Sequence, residues 1–313
     1  MASQVAADRM NAAVPAETTG KIVGAGISSV ATNTLDFAEN LHNVTFSNCK
    51  ISDVTVHAEG CAWYYANQNG GQVTNCAIFN DTGNALSNGM WLDDSNGLIQ
   101  GFQFRGVNYC FRTRNFGLVG EISDVYAEGN AGIALSHSII FQFDHSYSAT
   151  RLRVRNVRQS NYAGKVRFGG SFADYTIEFR DCSFEQPFAY GIIARNDGAT
   201  SFVVGDLVEF DPASAAGTRK VVTAAVVPNQ RCGSVVVGAN TDFGVGFLVV
   251  APLPAPGNTP VTVNGAVAVG DLIEAAANRQ GVVNNAPANP LNIVGRSTNT
   301  KAAGVGLVTV GSR

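Results

Sequence analysis

The feature that most constrains this chain is a short apolar–polar–apolar segment that returns about every 26 residues. Phe46-Ser-Asn48-Cys49-Lys-Ile51 recurs as Val73-Thr-Asn75-Cys76-Ala-Ile78 and as Ile99-Gln-Gly101-Phe102-Gln-Phe104. It returns as Ile122-Ser-Asp124-Val125-Tyr-Ala127, Val154-Arg-Asn156-Val157-Arg-Gln159 and Phe179-Arg-Asp181-Cys182-Ser-Phe184. With Cys49, Cys76, Phe102, Val125, Val157 and Cys182 as anchors, the steps are 27, 26, 23, 32 and 25 residues. Periods of this size mark solenoids and related arrays, in which each repeat buries its apolar face on the next.

The columns of the repeat say how such a coil turns. The anchors and the residues three before them are apolar or Cys, so both belong inside. Between them stand Asn48, Asn75, Gly101, Asp124, Asn156 and Asp181, the residue types that tolerate a left-handed backbone at a sharp bend. Stacked coils place equivalent residues about 4.8 Å apart, so each column predicts a ladder. Cys49, Cys76 and Cys182 are then small core residues. The six cysteines, at 49, 61, 76, 110, 182 and 232, form no CxxC pair and imply neither a disulfide scaffold nor a zinc site. Glu121, Arg153 and Glu178, four residues before their anchors, predict an outward ion-pair ladder. Arg155 and Arg180 would stack with like charge and call for an acidic neighbour, a partner subunit or an anionic ligand. The rest of each coil reads as strand, turn and strand, with no sustained helical period.

The coil periodicity with Asn/Asp corners resembles the right-handed parallel β-helix superfamily, the architecture of pectate lyases and of many bacteriophage tailspikes. The resemblance covers residues 35–198, six or seven coils, and concerns fold rather than activity. Residues 1–34, rich in Ala, Ser, Val, Thr and Gly, are expected to be an arm, either flexible or ordered on a neighbouring subunit.

After Asn196-Asp197-Gly198 the composition shifts to Val, Ala and Gly, and a duplication appears. Val204-Gly-Asp206-Leu-Val-Glu209 returns as Val269-Gly-Asp271-Leu-Ile-Glu274, and Val236-Val-Gly238 returns as Ile293-Val-Gly295. Gly244-Val-Gly-Phe247 returns as Gly304-Val-Gly-Leu307; the offsets are 65, 57 and 60. Two halves of about three strands each, separated by the proline-rich Ala251–Gly257, suit a small closed β-barrel or sandwich. These strand motifs, in this order, resemble the small β-barrel phage capsid decoration, or cement, proteins. The resemblance implies that residues 199–313 bind a capsid shell and that the β-helix ahead of them projects as a spike or knob.

The expected fold is therefore all-β: a short right-handed parallel β-helix followed by a duplicated β-barrel or sandwich. Only 14% of the residues are charged and the net charge is −3, which implies no nucleic-acid partner. No apolar run approaches the roughly 18 residues of a membrane span, and Met1 to Gly20 lacks a signal-peptide pattern. His42, His57, His137 and His145 have no metal-ligand spacing, and no metal or cofactor is expected. A polysaccharide hydrolase would need paired carboxylates, for which Asp93, Asp94 and Asp144, with His145, are the candidates. Neighbouring strand residues point to opposite faces, and Asp-Asp-Ser-Asn-Gly is an ordinary turn sequence, so the turn reading outweighs the catalytic one. Trp63, Tyr64 and Trp91 form a candidate sugar-stacking face for a host glycan. The competing reading puts them inside the solenoid or at its end.

The expectation is a non-enzymatic virion structural protein, made in the host cytoplasm and carried on the capsid surface as a decoration or head-spike subunit. Its partners would be the major capsid protein and copies of itself, as a homotrimer or another homo-oligomer. The alternative is a tailspike that binds or depolymerises host surface polysaccharide.

Overall fold

The chain is described from a computed structural model. It covers residues 18–23, 26–28, 35–37, 41–52, 61–66, 70–80, 86–93, 97–114, 120–130, 139–143, 148–162, 165–168, 174–184, 187–196, 201–210, 221–223, 232–237, 247–254, 257–276, 279–288 and 292–311. The chain divides into two units, Met1–Tyr175 and Thr176–Arg313, and no α-helix occurs among the described residues.

In the first unit the strands are β1 (Thr18–Val23), β2 (Gly26–Ser28), β3 (Leu35–Phe37), β4 (Leu41–Ser47), β5 (Lys50–Ser52), β6 (Cys61–Ala66), β7 (Gly71–Thr74) and β8 (Ala77–Phe79). They continue as β9 (Leu86–Asp93), β10 (Gly97–Gln100), β11 (Gln103–Arg105), β12 (Val107–Arg114), β13 (Gly120–Glu128), β14 (Ile139–Phe143), β15 (Ser148–Ser160) and β16 (Lys165–Phe168). All their pairings are parallel. One ladder runs β1-β4-β7-β10-β13-β15, joined at β13 by β2-β5-β8-β11. A second runs β3-β6-β9-β12-β14-β16. Thr18–Val23, placed by its composition in an N-terminal arm, pairs in this first ladder with β4.

The repeated segments build the first ladder in the register their spacing implies. Phe46, Val73, Ile99, Ile122 and Val154 are successive partners, and all five are buried. The six anchors are buried as well. At the corners, Asn48, Asn75, Asp124, Asn156 and Asp181 have φ of +50° to +56°, and Gly101 has +69°. Pairing continues through each bend: Asn75 N–H donates to Gln100 O at 2.8 Å, and Gln103 N–H to Cys76 O at 3.0 Å. The corner side chains also bond to one another. Asn156 Nδ2 donates to Asp124 Oδ1 at 2.7 Å, and Gln100 Nε2 to Asp124 Oδ2 at 2.9 Å. Gly101 is required twice over, because its φ is left-handed and a Cβ there would lie 2.5 Å from Asn75 Oδ1.

The second ladder contributes an aromatic interior. Trp63 lies edge-on to Phe46 at 5.5 Å and Phe104 to Phe111 at 4.8 Å, while Phe111 stacks on Phe141 at 5.3 Å. The two ladders therefore face each other across one core. Such ring pairs add about 0.5–1.5 kcal/mol each beyond their buried area. Cys49, Cys76, Cys110 and Cys182 are buried thiols in no disulfide. Burial raises the Cys110 pKa to about 12 against the opposing effect of Tyr162.

The outward ion pairs run differently from the expected ladder. Glu121 sits opposite Arg153 in register, yet its carboxylate accepts from Arg155 Nε at 2.8 Å. The contact is diagonal across the pleat, which long side chains on one face can reach. Arg180 pairs with Glu178 of its own strand at 3.4 Å. Each arginine thus has an acidic neighbour within the chain.

The second unit is antiparallel except at Val263 and Gly281, whose strands pair parallel. Its strands are β17 (Asp174–Ser183, shared with the end of the first unit), β18 (Pro187–Arg195), β19 (Leu207–Phe210), β20 (Val221–Thr223), β21 (Cys232–Val237) and β22 (Phe247–Pro252). They are followed by β23 (Thr259–Asn264), β24 (Leu272–Ala276), β25 (Gln280–Val283), β26 (Ile293–Ser297) and β27 (Val305–Gly311). β18 lies antiparallel between β17 and β22. The last five strands close a barrel in the order β23-β25-β24-β26-β27. Its core is Val261, Val263, Val267, Ile273, Ala275, Val294, Val308 and Val310, completed by Leu207 from β19. Val208, one residue on, faces a second core with Phe202, Val235, Leu248 and Val250.

The duplication is real in its pairing. Gly205 N–H donates to Val235 O and Val235 N–H to Asp206 O, at 2.8 and 2.9 Å; Gly270 and Ser297, with Asp271, repeat this at 2.8 and 2.8 Å. Val235 therefore corresponds to Ser297, an offset of 62 rather than the 57 that Val236-Val-Gly and Ile293-Val-Gly suggest. Hydrogen-bond register fixes the equivalence, and the shared letters are incidental. The offset of 60 for the last strand holds, since Ala251 pairs Ser234 as Gly311 pairs Arg296.

Candidate functional site

The most distinctive surface in the second unit is the outside of the closed barrel. Five charged residues lie in its described part: Asp271, Glu274, Arg279, Arg296 and Lys301. Each is already engaged by its own chain. Lys301 Nζ donates to the carbonyls of Gly265, Ala302 and Gly304 at 2.6, 2.8 and 2.6 Å. Arg296 donates to Gly270 O at 3.0 Å, and Asn292 donates to Glu274 at 3.2 Å. Asp271 accepts from Ala268 N–H and Asn285, which hold its carboxyl below the usual range.

Arg279 grips Asp206 at 3.0 Å, donates to Ser201 O at 2.8 Å and lies over the Phe202 ring at 5.6 Å. Burial pushes the Asp206 carboxyl above its ordinary value, against Val203 N–H and Arg279, which pull it down. The ion pair joins the two repeats. The barrel also leaves apolar side chains to solvent, Val305 at 61% and Leu307 at 41%, beside exposed Ala302 and Ala303 and the polar Asn264, Thr298, Asn299 and Thr300. Exposed apolar side chains beside charges engaged within the chain favour contact with another surface.

In the first unit the candidate glycan face is not assembled at the surface. Trp63 is buried with Tyr65 in the aromatic interior. Trp91 is also buried, with the Arg112 guanidinium 4.1 Å over its ring. The side chains of Tyr64 and Asp93, and all of Asp94, Asp144 and His145, lie outside the described residues. Arg155 and Arg180 are described and are held by Glu121 and Glu178. Sequence reasoning missed the half-buried ring of Phe79, which has Lys50 at 4.9 Å and Arg105 at 4.4 Å. Register alone could have suggested them, since Phe79 and Arg105 are direct partners.

Among the described residues no group of three or more His, Cys, Asp or Glu could hold a metal ion. No helix among them is long and apolar enough to cross a membrane. No protein-family model, curated protein or solved structure matches this chain.

Proposed function

We propose that this chain is a non-enzymatic structural component of a bacteriophage virion, a decoration or head-spike subunit that binds the capsid shell through its barrel. On this reading the first unit is a short right-handed parallel β-helix. Its two ladders are faces of the same coils, and the left-handed Asn/Asp/Gly corners bend the chain within the first of them. The partners are the major capsid protein and further copies of the chain, and the place of action is the outer surface of the particle.

The observation that carries the reading is the barrel exterior, where every described charge is satisfied within the chain while Val305 and Leu307 stay exposed. An exterior of that kind favours a broad apolar contact with another protein. The test is the abundance of the chain in purified particles, measured by quantitative mass spectrometry against the major capsid protein. A fixed ratio to shell subunits, and loss of binding to undecorated shells on Val305→Asp, are the expected results. A few copies confined to the tail fraction, or new reducing ends when the protein is incubated with host polysaccharide, would overturn it.

A further inference from the structure

Two anchors of the repeat, Cys49 and Cys76, are like residues in register on neighbouring strands. Ser47 pairs with Thr74 and Lys50 with Ala77, and the same step of 27 residues sets Cys76 beside Cys49. Both side chains lie in the core, 6% and 1% exposed. They share one pose, each thiol donating to the carbonyl two residues before it. Cys49 Sγ reaches Ser47 O at 3.6 Å, and Cys76 Sγ reaches Thr74 O at 3.3 Å. Cys76 Sγ also accepts from Cys49 N–H at 3.4 Å and lies 3.8 Å from Phe46 O. The second sulfur is thus lodged against the strand that carries the first. A hydrogen bond with the Cys49 thiol, and then burial, lift the Cys76 thiol well above the ordinary thiol range.

That arrangement meets the requirement of a covalent bridge. A disulfide needs Cα atoms about 4.4–6.8 Å apart, and adjacent strands hold in-register partners about 4.8 Å apart. Rotation about the two Cα–Cβ bonds is the motion that joins the sulfurs. The other described cysteines are placed differently. Cys110 Sγ donates to the Tyr162 hydroxyl at 3.6 Å, and Cys182 Sγ to Arg180 O at 3.2 Å. Beyond Cys76 the anchor column continues with Phe102 and Val125, which offer no sulfur.

We propose that Cys49 and Cys76 form an oxidative cross-linking site that locks neighbouring repeats of the first ladder together. The oxidant is a small peroxide. Cys49, the more exposed of the two, attacks hydrogen peroxide; its sulfur becomes a sulfenic acid and one water leaves. The Cys76 sulfur then displaces the sulfenic oxygen, which leaves as a second water, and the S–S bond forms. Two thiols are oxidised, one peroxide is reduced, and both thiol protons end in water. Thiols are kept reduced in a cytoplasm and pair in oxidising surroundings, so the bond closes on repeats that have already stacked. The fold precedes the bridge, unlike a scaffold that depends on its disulfides. The inference stands apart from shell binding and is tested on the chain alone.

The full chain, purified with a thiol reductant, is treated with hydrogen peroxide and compared with its reduced form. After remaining thiols are alkylated in urea, trypsin separates Cys49, in residues 22–50, from Cys76, in residues 51–105. Mass spectrometry without reductant is expected to find these two peptides joined in the oxidised protein, and reductant to part them. Cys61 shares the second peptide, so Cys76→Ala should abolish the link and Cys61→Ala should keep it. The bridge closes a loop across 27 residues and should raise the urea midpoint of tryptophan fluorescence by roughly 1 M, reversibly with reductant. Cys49→Ala and Cys76→Ala, each checked as folded by far-UV circular dichroism, should show no such rise. Thiols that stay unlinked in the folded, peroxide-treated native chain, a link that survives Cys76→Ala, or a linked protein whose midpoint does not move would each overturn the proposal.

Discussion

Replacing Arg279 by Asn tests how the two repeats of the second unit are held together. Asn tolerates the left-handed backbone that Arg279 adopts at φ +63°, so the substitution removes the guanidinium without straining the turn. The pair it breaks is partly buried, with the Asp206 side chain 8% and the Arg279 side chain 31% exposed. Exposed pairs contribute about 0–1 kcal/mol, and removing one partner of a buried pair costs about 3–5 kcal/mol. An intermediate site predicts a loss of about 2 kcal/mol, including the contact with Phe202. With a urea slope of about 1–3 kcal/mol per molar, the transition of this unit moves down by roughly 1 M. Both tryptophans, Trp63 and Trp91, belong to the first unit. Tryptophan fluorescence should therefore stay unchanged while far-UV circular dichroism registers the shift. The pH dependence has a definite sign. Burial raises the Asp206 carboxyl, so the folded protein holds this proton more tightly than the unfolded chain. Stability of the unit then falls as pH rises from about 4, the ordinary carboxylate value, until Asp206 is ionised in both states. Arg279→Asn deepens that fall, and Asp206→Asn abolishes it. An unmoved dichroism transition, or losses for the two single variants that simply add in the double, would refute the reasoning.

Three further outcomes follow from the first unit. Gly101→Asn forces a side chain into the space held by Asn75 and should cost about 1–3 kcal/mol; the exchange Asn75→Gly with Gly101→Asn should recover most of it, both read by the urea midpoint of tryptophan fluorescence. Asn156 and Gln100 hold the Asp124 carboxyl below its usual value, so its contribution is complete above about pH 4 and is lost as pH falls through that lowered value. An acid titration followed by fluorescence should lose this slope in Asp124→Asn. Phe111→Ala, which empties a site between Phe102, Phe104 and Phe141, should cost about 3–5 kcal/mol and lower the thermal midpoint of the same signal.

The corner column was legible in the sequence because the left-handed region admits few residue types. Asn48, Asn75, Gly101, Asp124, Asn156 and Asp181 all stand where the spacing put them. The buried columns beside them followed, since a period-two strand leaves no choice of face. The aromatic interior of the second ladder was harder to see. Trp63 and Trp91 suit a binding face and an interior alike, because hydrophobicity alone does not say which side of a strand is covered. The duplication was visible as strings, but one offset was wrong by five residues, since strands are matched by hydrogen-bond parity and not by letters. The engagement of Lys301 and Arg279 was not visible at all. Lys301 reaches carbonyls of its own loop and that of Gly265, and Arg279 a carboxylate 73 residues away, pairings that only the folded turns define.

That closure also governs how copies of the molecule can crowd together. An open sheet ends in a row of unused backbone donors and acceptors that can recruit another strand and fuse neighbouring sheets. Strands β23 to β27 close on one another, so the barrel presents no open sheet edge of that kind. Contacts there are made by side chains and turns alone, and they can form and release without either partner unfolding. Dense packing at this surface is thereby kept from becoming irreversible aggregation.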